Sequence, residues 1–531
     1  MRPGEWELET GPLDDRPTFL AHALALSALH GPGPWPHDGH PLPDEPPRES
    51  GEGPFLPSVV LDGVRTHHFR TDPAPAAVEE IADLLEGLVS TPPRPGAMAG
   101  LHEMLAWQSA VAIADDLVKE LRSRSLPGER LREVARHLTE YGSLRDTVKL
   151  GIVMLGVCGD ARDRELLLLL GALDELTLYA VVALMNTQPD RQRAAHELAQ
   201  RVQGWGRIHA VERLKGCGDP EIKAWLLREG FRNGVMNEYL AHLAATTGDL
   251  YPALLRPEVD EALLDGAGGI LAALAMGGPA QDMTDYDDAV PAMHRYAELA
   301  STAPPTLSRL DHLLTLARFV SRPDEDFTWP DREPQALAAR YEALLARPVW
   351  RDLVLAHLSD PVGPYGFNTA LSCAGRLAMP VLAQALDHLE RDPFNAYVWQ
   401  WTLRRSDHES IHQVIKLATR LLPLDALAGG PAKSGGFGPE HAPDRALEII
   451  VSGLAKHPGT GLELLRTALT NPVIRVRSCA LRALSTWPAA HLPNRAREWV
   501  ATAAAAEPDV RLRSEMKAFL DGPTTTTDSG G

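Results

Sequence analysis

Two histidines four residues apart share one face of an α-helix, and a glutamate directly after the first can act as general base on a metal-bound water. His408, Glu409 and His412 stand at that spacing, so the chemistry they suggest is zinc-assisted hydrolysis. Their surroundings do not support it. Ser410 follows the glutamate and Arg405 lies three residues before the first histidine, where a zinc helix needs residues that bury it. A third ligand would have to come from Asp425, Glu440 or Glu448, across a glycine-rich break. With 20 histidines in the chain, one such pentapeptide arises by chance often enough to need no metal, and the pair is read as lying on a solvated helix face or in a groove. Other templates fail sooner. The run around Ala432-Lys433-Ser434 has neither the spaced glycines of a phosphate loop nor a preceding strand. No catalytic residue and no cofactor is assigned.

A second constellation suits recognition. Gly204-Trp205-Gly206-Arg207-Ile208-His209 is followed by Trp225 to Asn233 and then by Asn237-Glu238-Tyr239. Arg207, Arg228, Arg232, Asn233, Glu238 and Tyr239 offer charge, amide and aromatic surface for a protein or peptide partner. The alternative is that they are caps and ion pairs between repeats, with Trp205, Trp225 and Phe231 as core. Trp399 and Trp401, close in sequence to the histidine pair, could anchor the same kind of partner or pack between units.

Such side chains must be held by something, and from about Ala76 onward the pattern is helical. Apolar residues recur at i, i+3, i+4 and i+7, as in Val78, Ile81, Leu84, Leu85 and Leu88, with Gly, Pro or Asp breaking the pattern every ten to fifteen residues. No strands alternate with these helices, which excludes a doubly wound sheet and a β/α barrel. Aligning the segments that start at Val148, Leu178 and Ile208 brings Asp160, Asp190 and Asp219 into register. Each segment is an apolar helix, a turn whose Asp suits an N-cap, and a second helix. One such hairpin cannot cover its apolar face, but stacked hairpins can, so the predicted fold is an all-α solenoid.

The turn returns near the C-terminus, where Asn471 to Trp487 and Glu507 to Leu520 each place Pro before Val/Ile-Arg-x-Arg. These units resemble HEAT repeats, a resemblance that implies Arg475, Arg477, Arg511 and Arg513 bridge adjacent units. The stretch from Gly204 to Leu250 is similar to a group of bacterial HEAT-like proteins, some of which carry the name limonene hydroxylase. That name implies terpene oxidation with an electron donor, for which the sequence shows no haem, flavin or dinucleotide motif. HEAT-like glycosylases that act on alkylated DNA bases offer another enzymatic reading, with duplex held in a basic groove.

Charge limits the nucleic-acid reading. The 531 residues carry 52 Lys and Arg against 71 Asp and Glu, a formal net charge of −19. Residues 1–100 hold 6 basic and 16 acidic side chains, whereas residues 441–520 hold 11 and 7, so only the C-terminal end could supply a basic field. Residues 1–75 are predicted to form an irregular, acidic, Pro/Gly-rich arm with one helix over Pro17 to Leu29 and a hairpin turning at Asp62-Gly63. The helical array is placed at 76–428, a Gly/Pro-rich loop at 429–443, further repeats at 444–520 and a disordered tail at 521–531. Loops such as 429–443 and the stretch from Arg322 are expected to project. Four dispersed cysteines, no basic-then-apolar leader and no stretch long enough to cross a bilayer point to the cytoplasm and to no membrane partner. The expected function is a non-catalytic scaffold with a protein or peptide on its concave face.

Overall fold

The computed structural model describes residues 6–8, 11–36, 40–45, 59–60, 62–63, 75–322, 327–329, 333–363 and 366–521. Among them the secondary structure is helical, and the nearest thing to a strand is one isolated bridge between Ser434 and Val473. The all-α stacked-hairpin architecture is therefore the fold. The chain divides into two units, Met1–Pro47 with Leu56–Ala346, and Arg48–Phe55 with Arg347–Gly531.

In the first unit, α1 (Phe19–His30) precedes α2 (Pro75–Ser90), α3 (Ala97–Ala106), α4 (Ala110–Ser123), α5 (Gly128–Tyr141), α6 (Arg145–Cys158), α7 (Arg164–Gly171), α8 (Asp174–Thr187) and α9 (Arg191–Gln200). Then come α10 (Gly204–Glu212), α11 (Pro220–Trp225), α12 (Glu238–Thr247), α13 (Leu250–Leu254), α14 (Glu261–Met276), α15 (Ala289–Thr302), α16 (Leu307–Ser321) and α17 (Glu333–Leu345). Even-numbered helices from α6 to α16 pack side by side as one layer, and the odd-numbered ones from α5 to α17 flank them as the other. Helix α6 shows why stacking is obligatory, because every residue from Thr147 to Gly156 is buried. A helix apolar on all sides needs cover on all sides.

The aspartates in register do more than cap. Asp219 accepts from the backbone N–H groups of Glu221 and Ile222 at the start of α11, and Asp160 forms a reciprocal capping box with Asp163. Asp190 makes no such cap bond. Each also receives a cation from the preceding repeat. Arg164 reaches Asp190 at 2.8 Å, Arg193 reaches Asp219 at 2.6 Å, and Lys223 reaches a fourth aspartate, Asp249, at 2.7 Å. Each of these turns thus carries an inter-repeat ion pair, and at Asp219 the same carboxylate also caps the helix.

The arm folds differently from the expected hairpin. Helix α1 forms close to where the sequence places it, capped by Thr18. Residues 59–60 and 62–63, however, are helical, and Asp62 is buried. No Asp-Gly turn forms because the aspartate is drawn into an ion pair with the array instead. Arm residues bind along the first unit: the Trp6 indole N–H donates to the Leu88 carbonyl, the Ser143 hydroxyl donates to Asp14, and Asp44 takes a bidentate contact from Arg145.

The second unit contains α18 (Val349–Ser359), α19 (Gly366–Arg376), α20 (Leu382–Arg391), α21 (Ala396–Arg405), α22 (Ser410–Leu421), α23 (Leu424–Leu427), α24 (Ala442–Gly453), α25 (Leu462–Leu469), α26 (Ile474–Thr486), α27 (Ala496–Ala506) and α28 (Val510–Asp521). Helix α21 packs on α24, α24 on α26 and α26 on α28. The expectation of projecting loops is corrected in both units. Gly430 and Ala432 donate backbone hydrogen bonds to Thr470 and Pro472, and Arg477 donates to the Ala432 carbonyl, so the glycine-rich loop lies along a repeat turn. In the first unit Phe327 and Trp329 fold back onto Phe319 of α16, at 5.4 and 6.1 Å between rings. Asp521, the first residue of the tail expected at 521–531, closes α28, and residues 522–531 lie outside the described residues.

Candidate functional site

A buried cluster of charges lies in the first unit where the arm meets the even layer. Helix α6 supplies Arg145 and Lys149, α8 supplies Glu175 and Tyr179, and the arm supplies Asp44 and Asp62. Lys149 is only 1% exposed, Glu175 6% and Asp62 7%. Charges this deep persist when they are paired, and here they are. The Lys149 ammonium lies 2.9 Å from Asp62 and 3.4 Å from Glu175, and the Arg145 guanidinium lies 2.8 Å from Asp44 and 3.6 Å from Glu175. The Tyr179 hydroxyl donates to Asp62 at 3.2 Å, and burial together with the neighbouring Asp62 charge keeps that phenol well above its usual pKa. Burial also raises the carboxyl of Asp146, which accepts from the Ala110 N–H.

An aromatic step continues the same face. Gly63 lies so close to the Trp205 indole of α10 that a Cβ there would sit 2.4 Å from the ring. Trp205 packs against Tyr239 at 5.1 Å and beside His209 at 6.4 Å. Beyond it, α11 runs into a π-turn over Leu226–Gly230, a local irregularity common at functional positions. Gly266 of α14 is what lets that turn approach, since a Cβ at 266 would fall 2.0 Å from the Leu227 carbonyl oxygen.

The structure sorts the residues singled out in the sequence. Arg228 is an inter-repeat tie, 2.6 Å from Asp260. Asn233 is buried and spends its amide on the turn that ends the π-turn, accepting from Val235 and Met236 and donating to the Phe231 and Met236 carbonyls. Arg207 lies over Trp225 at 5.2 Å and donates to the Glu229 carbonyl, with burial lowering its pKa. These three serve the fold. Arg232 differs: it is half-buried over the Phe231 ring at 5.0 Å, and among the described residues its guanidinium meets no carboxylate. Glu238, at the start of α12, and Tyr239 are half-buried on the same stretch. Trp399 is fully buried, its N–H donating to the Pro393 carbonyl, and Trp401 is 6% exposed beneath Arg405. Both tryptophans therefore pack as core, out of a partner's reach.

The zinc geometry is also corrected. Helix α22 begins at Ser410, so His408 lies in the turn before it and the two histidines do not share a helix face. Their exposed rings sit 5.7 Å apart, and among the described residues no group of three or more metal-ligating side chains gathers. Nor do the C-terminal arginines line up as a basic track. Arg477 is buried against Glu507, Arg475 pairs with Glu448, and Arg511 with Glu515 of its own helix. Of the arginines expected to bridge units, Arg477 and Arg475 do so, whereas Arg511 pairs within its own helix and Arg513 donates to the Glu507 carbonyl in the turn before it.

Lys149, Glu175 and Asp62 were missed by motif reasoning. The signal was present in Val148-Lys149-Leu150-Gly151-Ile152, a lone cation inside an apolar run, since a charge at a fully buried helical position calls for a partner. No protein-family model matches the chain, and no curated protein matches it. Among solved structures, a "circular tandem repeat protein with novel repeat topology and enhanced subunit contact surfaces" is 14% identical over 87% of this chain and 94% of that one, with a TM-score of 0.14. Among the described residues no helix is long and apolar enough to cross a membrane.

Proposed function

We propose that the protein is a non-catalytic scaffold of HEAT-like repeats, working in the cytoplasm, that holds a protein or peptide on the even-layer face of its first unit, from Lys149 through Trp205 to Arg232 and Tyr239. One observation carries the reading. That face already holds part of the chain's own arm, Val59, Asp62 and Gly63, by means suited to peptide recognition. A carboxylate meets a lysine, the Val59 N–H donates to Glu175 at 3.2 Å, and the glycine backbone closely approaches an indole. Arg232, with no carboxylate beside it among the described residues, supplies a cation for the partner at the far end of the aromatic step.

Quantitative affinity capture with the full chain tests this. An Arg232→Glu variant with unchanged circular dichroism should lose, by about tenfold or more, a protein that the wild type retains. An identical captured set from both would remove the proposal.

A further inference from the structure

The slot under the arm is specific enough to say what it accepts. We propose that the Asp62-Gly63 step is a resident stand-in for a partner, and that the slot recognises a protein segment bearing an aspartate followed by glycine. This rests on reading the face as a peptide-binding surface.

Three features support it. The slot's walls belong to the array and pair with one another, through Lys149–Glu175 at 3.4 Å and Arg145–Glu175 at 3.6 Å. They therefore keep charge partners when Asp62 leaves, and the site is preformed. The aspartate is read twice at one oxygen, since the Lys149 ammonium and the Tyr179 hydroxyl both donate to Oδ2, at 2.9 and 3.2 Å. An asparagine would bring no charge to a buried ammonium. The glycine is read by exclusion. A Cβ at residue 63 would lie 2.4 to 2.8 Å from three atoms of the Trp205 ring, and that ring is 7% exposed and braced by Tyr239, so it has nowhere to yield. A tethered segment competes at an effective concentration of order millimolar. A partner that enters the slot must therefore carry the same two-residue signature and displace the arm.

The test uses the full chain and a fluorescently labelled synthetic peptide of residues 56–67, followed by anisotropy. Asp62→Asn leaves Lys149 paired with Glu175 while weakening the resident segment. This variant should bind the peptide at least tenfold more tightly than the wild type does. Binding should vanish when the peptide carries Gly63→Ala or when Lys149→Met is added to the protein. A folded Asp62→Asn protein that binds no better than wild type, or equal binding of the alanine peptide, would overturn the inference. Should the variant fail to fold, hydrogen exchange on the wild type decides: the Val59 amide exchanging at least 100-fold faster than that of Leu155 in α6 upholds a displaceable arm, and equal protection overturns it. A partner lost through Arg232→Glu together with no peptide uptake by Asp62→Asn would leave the scaffold standing and sink this inference alone.

Discussion

Arg477 and Glu507 are both sealed from solvent and joined by two hydrogen bonds of 2.6 Å, and Arg477 also donates to the carbonyls of Asn471, Pro472 and Ala432. Removing one partner strands the other charge, so Arg477→Met should cost about 3–5 kcal/mol in urea unfolding of the second unit. A loss below about 1 kcal/mol would show that the pair is not desolvated. His312 makes a pH argument. Burial holds its imidazole neutral, down to a pKa of about 3, while the unfolded chain protonates near 6.5. Between those values the unfolded state binds the extra proton, so stability falls as pH drops, by at most about 1.4 kcal/mol per pH unit from this group. His312→Asn should flatten the stability profile between pH 6 and 4, and an unchanged slope would count against a buried neutral ring. At this scale the sequence was half legible. The Arg-x-Arg turn announced Arg477, because its spacing repeats. Lys149 repeats nowhere, and its partner Asp62 lies 87 residues upstream, a separation no local pattern reports.

The ladder from Arg164–Asp190 through Arg193–Asp219 to Lys223–Asp249 explains why one element recurs. These pairs are partly solvated, and each contributes no more than about 1 kcal/mol. The capping bonds add a separable amount. Asp219→Ala removes a cap and a tie and should cost about 1–2 kcal/mol, while Asp190→Ala removes only a tie and should cost less. Thermal unfolding of the two variants ranks them, and equal losses would mean that the cap at α11 contributes nothing. Gly266→Ala tests the π-turn, since its methyl group must push the Leu227 carbonyl aside; we expect a loss of about 1–3 kcal/mol. Helices were readable because apolar spacing and Asp caps are local. The segment around Asp62-Gly63 was not: a turn dipeptide between β-branched residues reads as a hairpin until a buried lysine on another helix claims the aspartate. The loop from Gly429 was misjudged for a related reason, because its backbone bonds go to a repeat turn some forty residues later.

Within the first unit, stacking hairpins lays the even-numbered helices side by side, and arm residues Val59, Asp62 and Gly63 lie against that layer. The fold was legible from periodicity alone. The face proposed to bind a partner is legible in the sequence at its far end, in Arg232 and Tyr239, and not at its near end, where long-range ion pairs build it. Which layer meets a partner is therefore the decisive question. Site-specific photo-cross-linking in the native host measures this directly, with the reactive group placed at residue 232 beside the even layer or at residue 193 on α9 of the odd layer. We predict a protein adduct from 232 and none from 193; adducts from 193 alone, equal yields from both, or no adduct from either would contradict the account.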